Sequence, residues 1–343
     1  MFRDIAIVIL NWNGKKYLEQ FLPSVIQYSE NARIIIADNC STDDSIAFMQ
    51  VNYPTIEIVS NKSNGGFAKG YNDALKQIES KYYLLLNSDI EVTEGWLSPL
   101  YEVIKLENVA ACQPKILAFN EKKRFEHAGA AGGYLDRNYF PFCRGRILEL
   151  TETDANQYNS TQEIFWASGA CILIKADIFH KHNGFDEDFF AHMEEIDLCW
   201  RIKRTGLSLY AVPSSTVYHV GGGTLAYLSP KKTYLNFRNS LFMIVKNHPN
   251  NLFTKVFYRL CLDGIAGLLF TLKGTPNHTI AVLKAHKDFY ALLPKMLMKR
   301  KELKIQEGTF NKVGLYKGSI LWARYVKGIT KYKDLNHRLF SDY

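Results

Sequence analysis

The sequence predicts an α/β protein: a mostly parallel sheet flanked by helices, followed by a basic helical extension. Three observations lead there. The first hundred of 343 residues alternate four near-continuous apolar runs with helical patterns. Three strand exits, at Asn11, Asp38 and Asp89, turn polar in an orderly way. The charge also reverses along the chain: residues 1–227 hold 21 Lys+Arg against 28 Asp+Glu, a balance of −7, and residues 228–343 hold 21 against 6, a balance of +15. We therefore expect two units, residues 1–227 and 228–343, with different partners.

The elements follow in order. Ile5–Leu10 is apolar and leads through Asn-Trp-Asn-Gly into a helical pattern at Tyr17, Leu18, Phe21, Leu22, Val25 and Ile26. Arg33–Ala37 is the second run. It meets DNCSTDDS, where Ser41 or Thr42 is expected to cap a helix favoured by Asp43 and Asp44. Ile56–Val59 is the third run, followed by NGGFAKGYN and a helix through Leu75 and Ile78. Tyr82–Leu86 is the fourth. Apolar strands separated by helices indicate a parallel sheet covered on both faces. Such sheets bind ligands beyond the carboxyl ends of their strands. Asn and Asp at a single exit usually mean a turn. Three such exits, with Gly65, Gly66 and Gly70 between the second and third, point to a ligand that the backbone approaches closely.

A 47 % hydrophobic, 22 % charged composition is globular. The six cysteines are scattered without a Cys-x-x-Cys, which suits reduced thiols rather than disulfides or zinc. MFRDIAIVIL is too short an apolar stretch for a secretory signal, so a cytoplasmic protein is expected.

Asn87-Ser88-Asp89 has the chemistry of a hard-cation site. A carboxylate on a rigid strand end can hold Mg²⁺ or Mn²⁺ while substrate phosphates supply further ligands. His219, before Gly221-Gly222-Gly223, is a candidate second ligand beside a mobile loop. GFDEDFFAHMEEIDLCWR carries six carboxylates, Asp186, Glu187, Asp188, Glu194, Glu195 and Asp197, interleaved with Phe189, Phe190 and Met193. A solvated acidic face would not need those apolar residues, and a carboxylate at a helix start beside apolar groups can have a tuned pKa. WASGACILIKADIF reads as a turn feeding a strand. Its small residues around Gly169 either pack tightly or let a ligand lie close, and Trp166 either stacks on that ligand or belongs to the core.

VILNWNG, IIIADNCSTDDS, NGGFAKGYN, YYLLLNSDIEV, WASGACILIKADIF, GFDEDFFAHMEEIDLCWRIKRTG and VYHVGGGT occur in that order. Together they resemble the family 2 glycosyltransferases of GT-A fold, in the rhamnosyltransferase-like branch that builds bacterial surface polysaccharides. The resemblance spans roughly residues 4–245. It implies an inverting glycosyltransferase that moves a sugar from a UDP- or dTDP-sugar, dTDP-rhamnose among them, to a glycan or lipid-linked glycan. It implies a nucleotide-binding half to about residue 90 and an acceptor half over 91–227. Asp38 would bond the pyrimidine base, with Leu10 and Asn11 lining its pocket. Gly66 and Phe67 would approach the nucleoside and Asn72 would brace the loop. Asn87-Ser88-Asp89 stands where the family has Asp-x-Asp, so Asp89 would touch the metal and Asn87 costs the site one charge. His219 would complete the metal shell, and Arg238 would approach phosphate. Glu195 matches the second acid of the family's Glu-Asp pair and would be the general base, with Glu194 as runner-up. Asp197 would orient the helix or bond an acceptor hydroxyl.

In the tail, residues 252–272 are apolar and long enough to span a bilayer, but Lys255, Arg259 and Asp263 recur every four residues as one polar stripe. An amphipathic helix is expected, lying in a membrane interface or packed on the catalytic domain. KMLMKRKELK and YVKGITKYK favour the anionic inner face of the cell membrane, and no nucleic-acid motif accompanies them. Two other classes compete: a catalytically inactive sugar-binding scaffold, and a sugar-nucleotide nucleotidyltransferase. The second needs a glycine-rich, basic first loop, and NWNGKKY is a poor match.

Overall fold

A computed structural model describes residues 2–221, 229–305 and 309–341. The chain opens as β1 (Ile5–Asn11), α1 (Lys15–Tyr28), β2 (Arg33–Asp38), α2 (Ser45–Asn52), β3 (Glu57–Ser60), α3 (Gly66–Leu75) and β4 (Tyr82–Asn87). These four strands are parallel, paired in the order β3-β2-β1-β4. Successive side chains of one strand point to opposite faces, and here both faces are covered. Ile5, Ile7 and Ile9 pack with Leu18, Leu22 and Trp96 on one side, while Ala6 and Val8 pack with Ala68 and Tyr71 on the other.

The second half adds β5 (Ile90–Val92), α4 (Leu97–Ile104), β6 (Val109–Ala118), the short strands β7 (Gly133–Asp136), β8 (Pro141–Cys143), β9 (Arg146–Ile147), β10 (Leu150–Thr151) and β11 (Gln162–Ile164), and then β12 (Cys171–Lys175), α5 (Ala176–Lys181), α6 (Glu194–Lys203) and β13 (Ser208–His219). β12 lies antiparallel between β4 and β6, and the sheet runs on through β13 to β11, with β5 paired to β13. This half makes the sheet mixed: among the described strands, four of its pairings are parallel and four antiparallel. All six cysteines are free, four of them buried.

The extension consists of α7 (Pro230–Asn247), α8 (Leu252–Leu272), α9 (Pro276–Ile305), β14 (Leu315–Tyr316) and α10 (Ile320–Tyr325). Ser229 caps α7 by accepting from the Lys232 backbone N–H at 3.2 Å, and Pro230 follows in the first turn. After β13 the described chain becomes mainly helical without losing contact with the rest. β14 joins β7 in a second, five-stranded sheet β10-β9-β8-β7-β14. There Tyr134 meets Phe142, Tyr332 and Phe340 at ring separations of 5.6, 5.2 and 5.5 Å.

α8 is inverted relative to an ordinary surface helix. Its polar stripe faces the protein: Lys255 donates to the Arg137 carbonyl at 2.7 Å, and buried Arg259 donates to Asp263 at 2.8 Å. Phe253, Phe257, Ile265, Leu268 and Leu272 are exposed instead. Among the described residues no helix is long and apolar enough to cross a membrane.

Candidate active site

The parallel strands end in register, so their exit residues meet. Asn11 lies opposite Asp38, Asp38 opposite Ser60, and Leu10 opposite Asn87. The buried Asn11 amide donates to Asp38 Oδ1 and to Ser41 Oγ, both at 3.1 Å. The other Asp38 oxygen accepts the Ser41 backbone N–H at 3.0 Å. Each carboxylate oxygen keeps a further lone pair for a ligand. Asn11 Oδ1 is buried without a partner among the described residues, and a Cβ on Gly14 would come within 2.5 Å of it. Ser41 is thus tied to the strand exits and is not the helix cap that the sequence suggested. The N-cap position falls to Asp44, which makes no side-chain cap bond, while Asp43 just before it accepts from the Ser45 and Lys15 backbone N–H groups at 3.1 and 3.2 Å.

Three asparagines that sequence reasoning passed over hold the glycine loop to this floor. Asn39 Nδ2 donates to Asn64 Oδ1 at 3.0 Å and to the Gly66 carbonyl at 3.1 Å. Asn61 Nδ2 donates to Asn39 Oδ1 at 3.1 Å and to the Gly70 carbonyl at 2.9 Å. A Cβ on Gly70 would press on the Asn39 amide at 2.9 Å, and Gly66, with φ +81°, would set one 2.5 Å from the Phe190 carbonyl. The repeated asparagines in ADNC and SNKSN were the available signal. Asn72 braces the acidic segment: it donates to the Phe185 carbonyl at 2.8 Å and accepts the Phe185 N–H at 3.0 Å.

Asp89 follows β4 by one turn, beside Ser88. His219, at the end of β13, places Nε2 3.2 Å from Asp89 Oδ1 and 3.4 Å from the Asn87 amide nitrogen. Its Nδ1 lies 3.3 Å from buried Glu126, a residue without any sequence signal. Burial opposes charge on this imidazole, but Asp89 and Glu126 outweigh it and raise its pKa to about 10. Burial likewise opposes charge on Glu126, yet His219 holds its carboxyl down to about 2. Among the described residues no three His, Cys, Asp or Glu side chains form a ready cation cage. An Asp and a His with a carboxylate behind the second ring nitrogen would fit a divalent cation that displaces the Nε2 proton and takes its remaining ligands from a diphosphate. The glycine run after Gly221, expected to be mobile, lies outside the described residues.

The third group comes from the start of α6. Phe190, His192 and Met193 have φ of +63°, +70° and +74°. For residues with a Cβ, such a conformation costs on the order of 1–2 kcal/mol each. Glu194 and Glu195 follow at once, and each has a buried Oε2 with no partner among the described residues. Burial raises Glu195 to about 7. Burial and then the Glu195 charge push Glu194 well above the carboxylate range. At neutral pH the pair therefore holds Glu194 protonated and leaves Glu195 poised to take a proton. Gly169 connects this helix to the strand exits. A Cβ there would meet the Phe67 ring at 3.2 Å and Glu195 Cβ at 3.6 Å, and the next carbonyl, of Ala170, accepts the Asn87 N–H at 2.9 Å. Asp38, Asn11, Leu10, Asn87, Asp89, His219, Gly169, Phe67 and Glu195 thus form one contiguous rim.

For Trp166 and Asp197 the structure favours the structural of their two readings, and for Arg238 it corrects the expectation. Trp166 is buried, donates to the Tyr134 carbonyl at 3.0 Å and packs on Gly133, so it offers no face to a sugar. Asp197 has no exposed surface. It accepts from Arg201, Lys246 and Asn247 at 2.9, 2.7 and 2.7 Å, which anchors α6 to α7 and leaves nothing for an acceptor. Arg238 donates to the Asp188 and Phe189 carbonyls at 3.0 and 3.1 Å rather than reaching for phosphate.

A parallel half with a polar pocket at its strand exits, joined through an antiparallel strand to a helix bearing paired carboxylates, has the GT-A architecture. The chain belongs to glycosyl transferase family 2, whose model matches residues 6–182. Similar proteins include the low-salt glycan biosynthesis hexosyltransferase Agl10 of Haloferax volcanii, 22 % identical over 76 % of this chain and 80 % of its own length. The rhamnosyltransferase WbbL of Escherichia coli is 24 % identical over 63 % of this chain and 83 % of its own. The N-acetylglucosaminyl-diphospho-decaprenol L-rhamnosyltransferase of Mycobacterium tuberculosis is 23 % identical over 63 % and 75 %. Solved structures of like fold include a mannosyltransferase of Pyrobaculum calidifontis with GDP-Man and Mn²⁺, at TM-score 0.52, 11 % identity and 88 % and 85 % coverage. TarS of S. aureus with UDP-GlcNAc reaches TM-score 0.53 at 16 % identity, covering 88 % of this chain and 87 % of that one.

Proposed function

We propose that this chain transfers a sugar, with inversion, from a UDP- or dTDP-sugar to a glycan or lipid-linked glycan acceptor during cell-surface polysaccharide synthesis, with dTDP-rhamnose the first donor to try. The observation that carries this reading is the unbroken rim from Asp38 to Glu195, which ends in one desolvated, unpaired carboxylate. The rhamnosyltransferases among the relatives support the choice of donor. Asp38 and Asn11 Oδ1 present acceptors that suit the N–H edge of a pyrimidine. Gly66 and Phe67 close over the nucleoside. Gly169 lets Phe67 and Glu195 pack close to its strand, which brings the nucleoside side of the rim next to the base.

Glu195 takes the proton of the acceptor hydroxyl as that oxygen bonds to the anomeric carbon. The bond from that carbon to the diphosphate oxygen breaks, and its electron pair departs with the nucleoside diphosphate. Asp89 and His219, with Asn87 and Ser88 beside them, would hold Mg²⁺ or Mn²⁺. The cation supplies neutralising charge for the leaving diphosphate. Thermal stabilisation by UDP or TDP, with and without Mn²⁺, tests the reading. Metal-dependent stabilisation supports it, and no response to any nucleoside diphosphate would leave an inactive scaffold as the better account. Pyrophosphate release from a nucleoside triphosphate and a sugar phosphate would make it a nucleotidyltransferase.

The same reading places the protein at the inner face of the cell membrane. The outward apolar face of α8, with exposed Lys273 and Lys287 nearby, matches an anionic lipid surface in both hydrophobicity and charge. Co-sedimentation with phosphatidylglycerol vesicles but not phosphatidylcholine vesicles, weakened in Phe253→Ser/Phe257→Ser, is expected. Equal recovery with both vesicles would remove the membrane from the account.

A further inference from the structure

The turn that presents Glu194 and Glu195 contains three left-handed residues, and such a turn persists only where its surroundings over-determine it. Side-chain hydrogen bonds reach it from two adjacent residues of α7. Asn239, fully buried, directs Nδ2 at the carbonyls of Phe189, Ala191 and His192, at 2.9, 2.9 and 2.7 Å. An amide group has two N–H donors, so three acceptors share them and the carbonyls are drawn together. Arg238 fixes which way that amide points: its Nε donates to Asn239 Oδ1 at 2.9 Å, and so the NH₂ end must face the turn. The Arg238 Nη2 group holds the two carbonyls just upstream. On the far side, the Phe190 carbonyl accepts the Ala68 N–H at 3.2 Å, directly over Gly66. The turn is therefore clamped between the glycine loop and a helix of the basic extension.

We propose that Asn239 is a positioning residue for sugar transfer: through the 190–193 turn it sets where the Glu195 carboxylate stands. This rests on Glu195 being the base. It gives the extension a part in the reaction as well as in docking. Among the described residues the side-chain hydrogen bonds of Asn239 go to Arg238 and the turn and not to the pyrimidine pocket, so its loss should show in turnover and not in donor binding. A loosened turn also admits water to Glu195, which lowers the pH at which the base titrates.

The test uses the full-length protein and three variants. Asn239→Asp keeps the volume and the bond from Arg238 but has no N–H for the carbonyls. Asn239→Ala removes both. Leu241→Ala, on the same helix and equally buried, is the control for lost packing. Each is assayed well below its melting temperature for kcat, for the donor KM, for nucleoside diphosphate Kd and for the pH dependence of kcat. We expect both Asn239 variants to lose about 10–100-fold in kcat with donor Kd within twofold, and to shift the acid limb of the profile to lower pH. Leu241→Ala should melt earlier with kcat and profile unchanged. Wild-type kcat and profile in Asn239→Asp, or equal losses in kcat and donor binding, would overturn the inference. A Glu195→Gln variant separates the two failures. If it still transfers sugar, the base assignment falls and this proposal with it. If it is inactive while Asn239→Asp is not, only the positioning role falls.

Discussion

The two sides of the cleft are built on opposite principles. At the exits of β1, β2 and β3, polar groups pair with one another: Asn11 with Asp38 and Ser41, Asn39 with Asn61 and Asn64. At the start of α6, two carboxylates each hold one oxygen buried and, among the described residues, unpaired, on a turn of left-handed residues. A site that must recognise a ligand gains from hydrogen bonds that already hold its groups in place. A group that must accept a proton near neutral pH gains from having none, because burial then keeps its proton affinity high. The same residue type, a carboxylate, serves both ends, and its surroundings decide which role it plays.

Removing the unpaired carboxylate should have the largest effect. Glu195→Gln is expected to lower transfer by about 10²–10⁴-fold, as for loss of a general base, in a coupled assay of nucleoside diphosphate release. Near-normal transfer would move the base to Glu194 or elsewhere. Lys246 comes next, because it bonds Asp186 and Asp197 at 2.6 and 2.7 Å in the interior. Lys246→Met should destabilise the fold by about 3–5 kcal/mol in denaturant titration, the usual cost of leaving buried charge unpaired. Burial opposes charge on Asp186, but Lys246 and Lys299 hold its carboxyl far below the normal range. Its stabilisation is therefore present at neutral pH and is lost as pH falls below about 4. The variant should show a shallower loss of stability than the wild type over that acid range.

The paired side should respond more modestly. Asp38→Ala is expected to weaken nucleoside diphosphate binding by about 10–100-fold, the worth of a hydrogen bond to a charged group, while sparing the protein's pH profile. Calorimetry checks this, and unchanged affinity would remove Asp38 from the donor site. The pH dependence of kcat sharpens the contrast further. Transfer should fall as pH drops through about 7, where burial sets the Glu195 pKa. The smallest effect concerns stability. Raised above its unfolded value, the Glu195 carboxyl disfavours folding increasingly as pH rises from about 4.5 to 7. Glu195→Gln should thus melt about 3 °C higher than wild type at pH 8 and at the same temperature at pH 5, by scanning calorimetry.

The parallel half was legible in the sequence because every signal there is local. Ile5–Leu10 and Tyr82–Leu86 read as strands from continuous apolar runs, and Asn11, Asp38 and Asp89 marked the exits that meet in register. The carboxylates before α6 were legible as chemistry, since Phe189, Phe190 and Met193 interrupt what would otherwise be a solvated acidic loop. What pairs with what was not legible, because partners lie far apart in sequence. Glu126 sits behind His219 across 93 residues, and Asn239 reaches Phe189 across 50. The basic tail was read as a surface charge, yet Lys246, Lys295 and Lys299 spend theirs on Asp186, Asp188 and Asp197. Trp166 and Asp197 each kept an acceptor reading beside a structural one, because composition cannot distinguish a buried aromatic or carboxylate from an exposed one.

Titrating a nucleoside diphosphate with Mn²⁺ into Glu195→Gln protein tests most directly whether recognition and proton transfer are separate devices in one cleft. The account predicts a Kd within twofold of the wild type in a variant that no longer transfers sugar. A Kd weakened tenfold or more would put Glu195 inside the donor site and contradict the division on which the account is built.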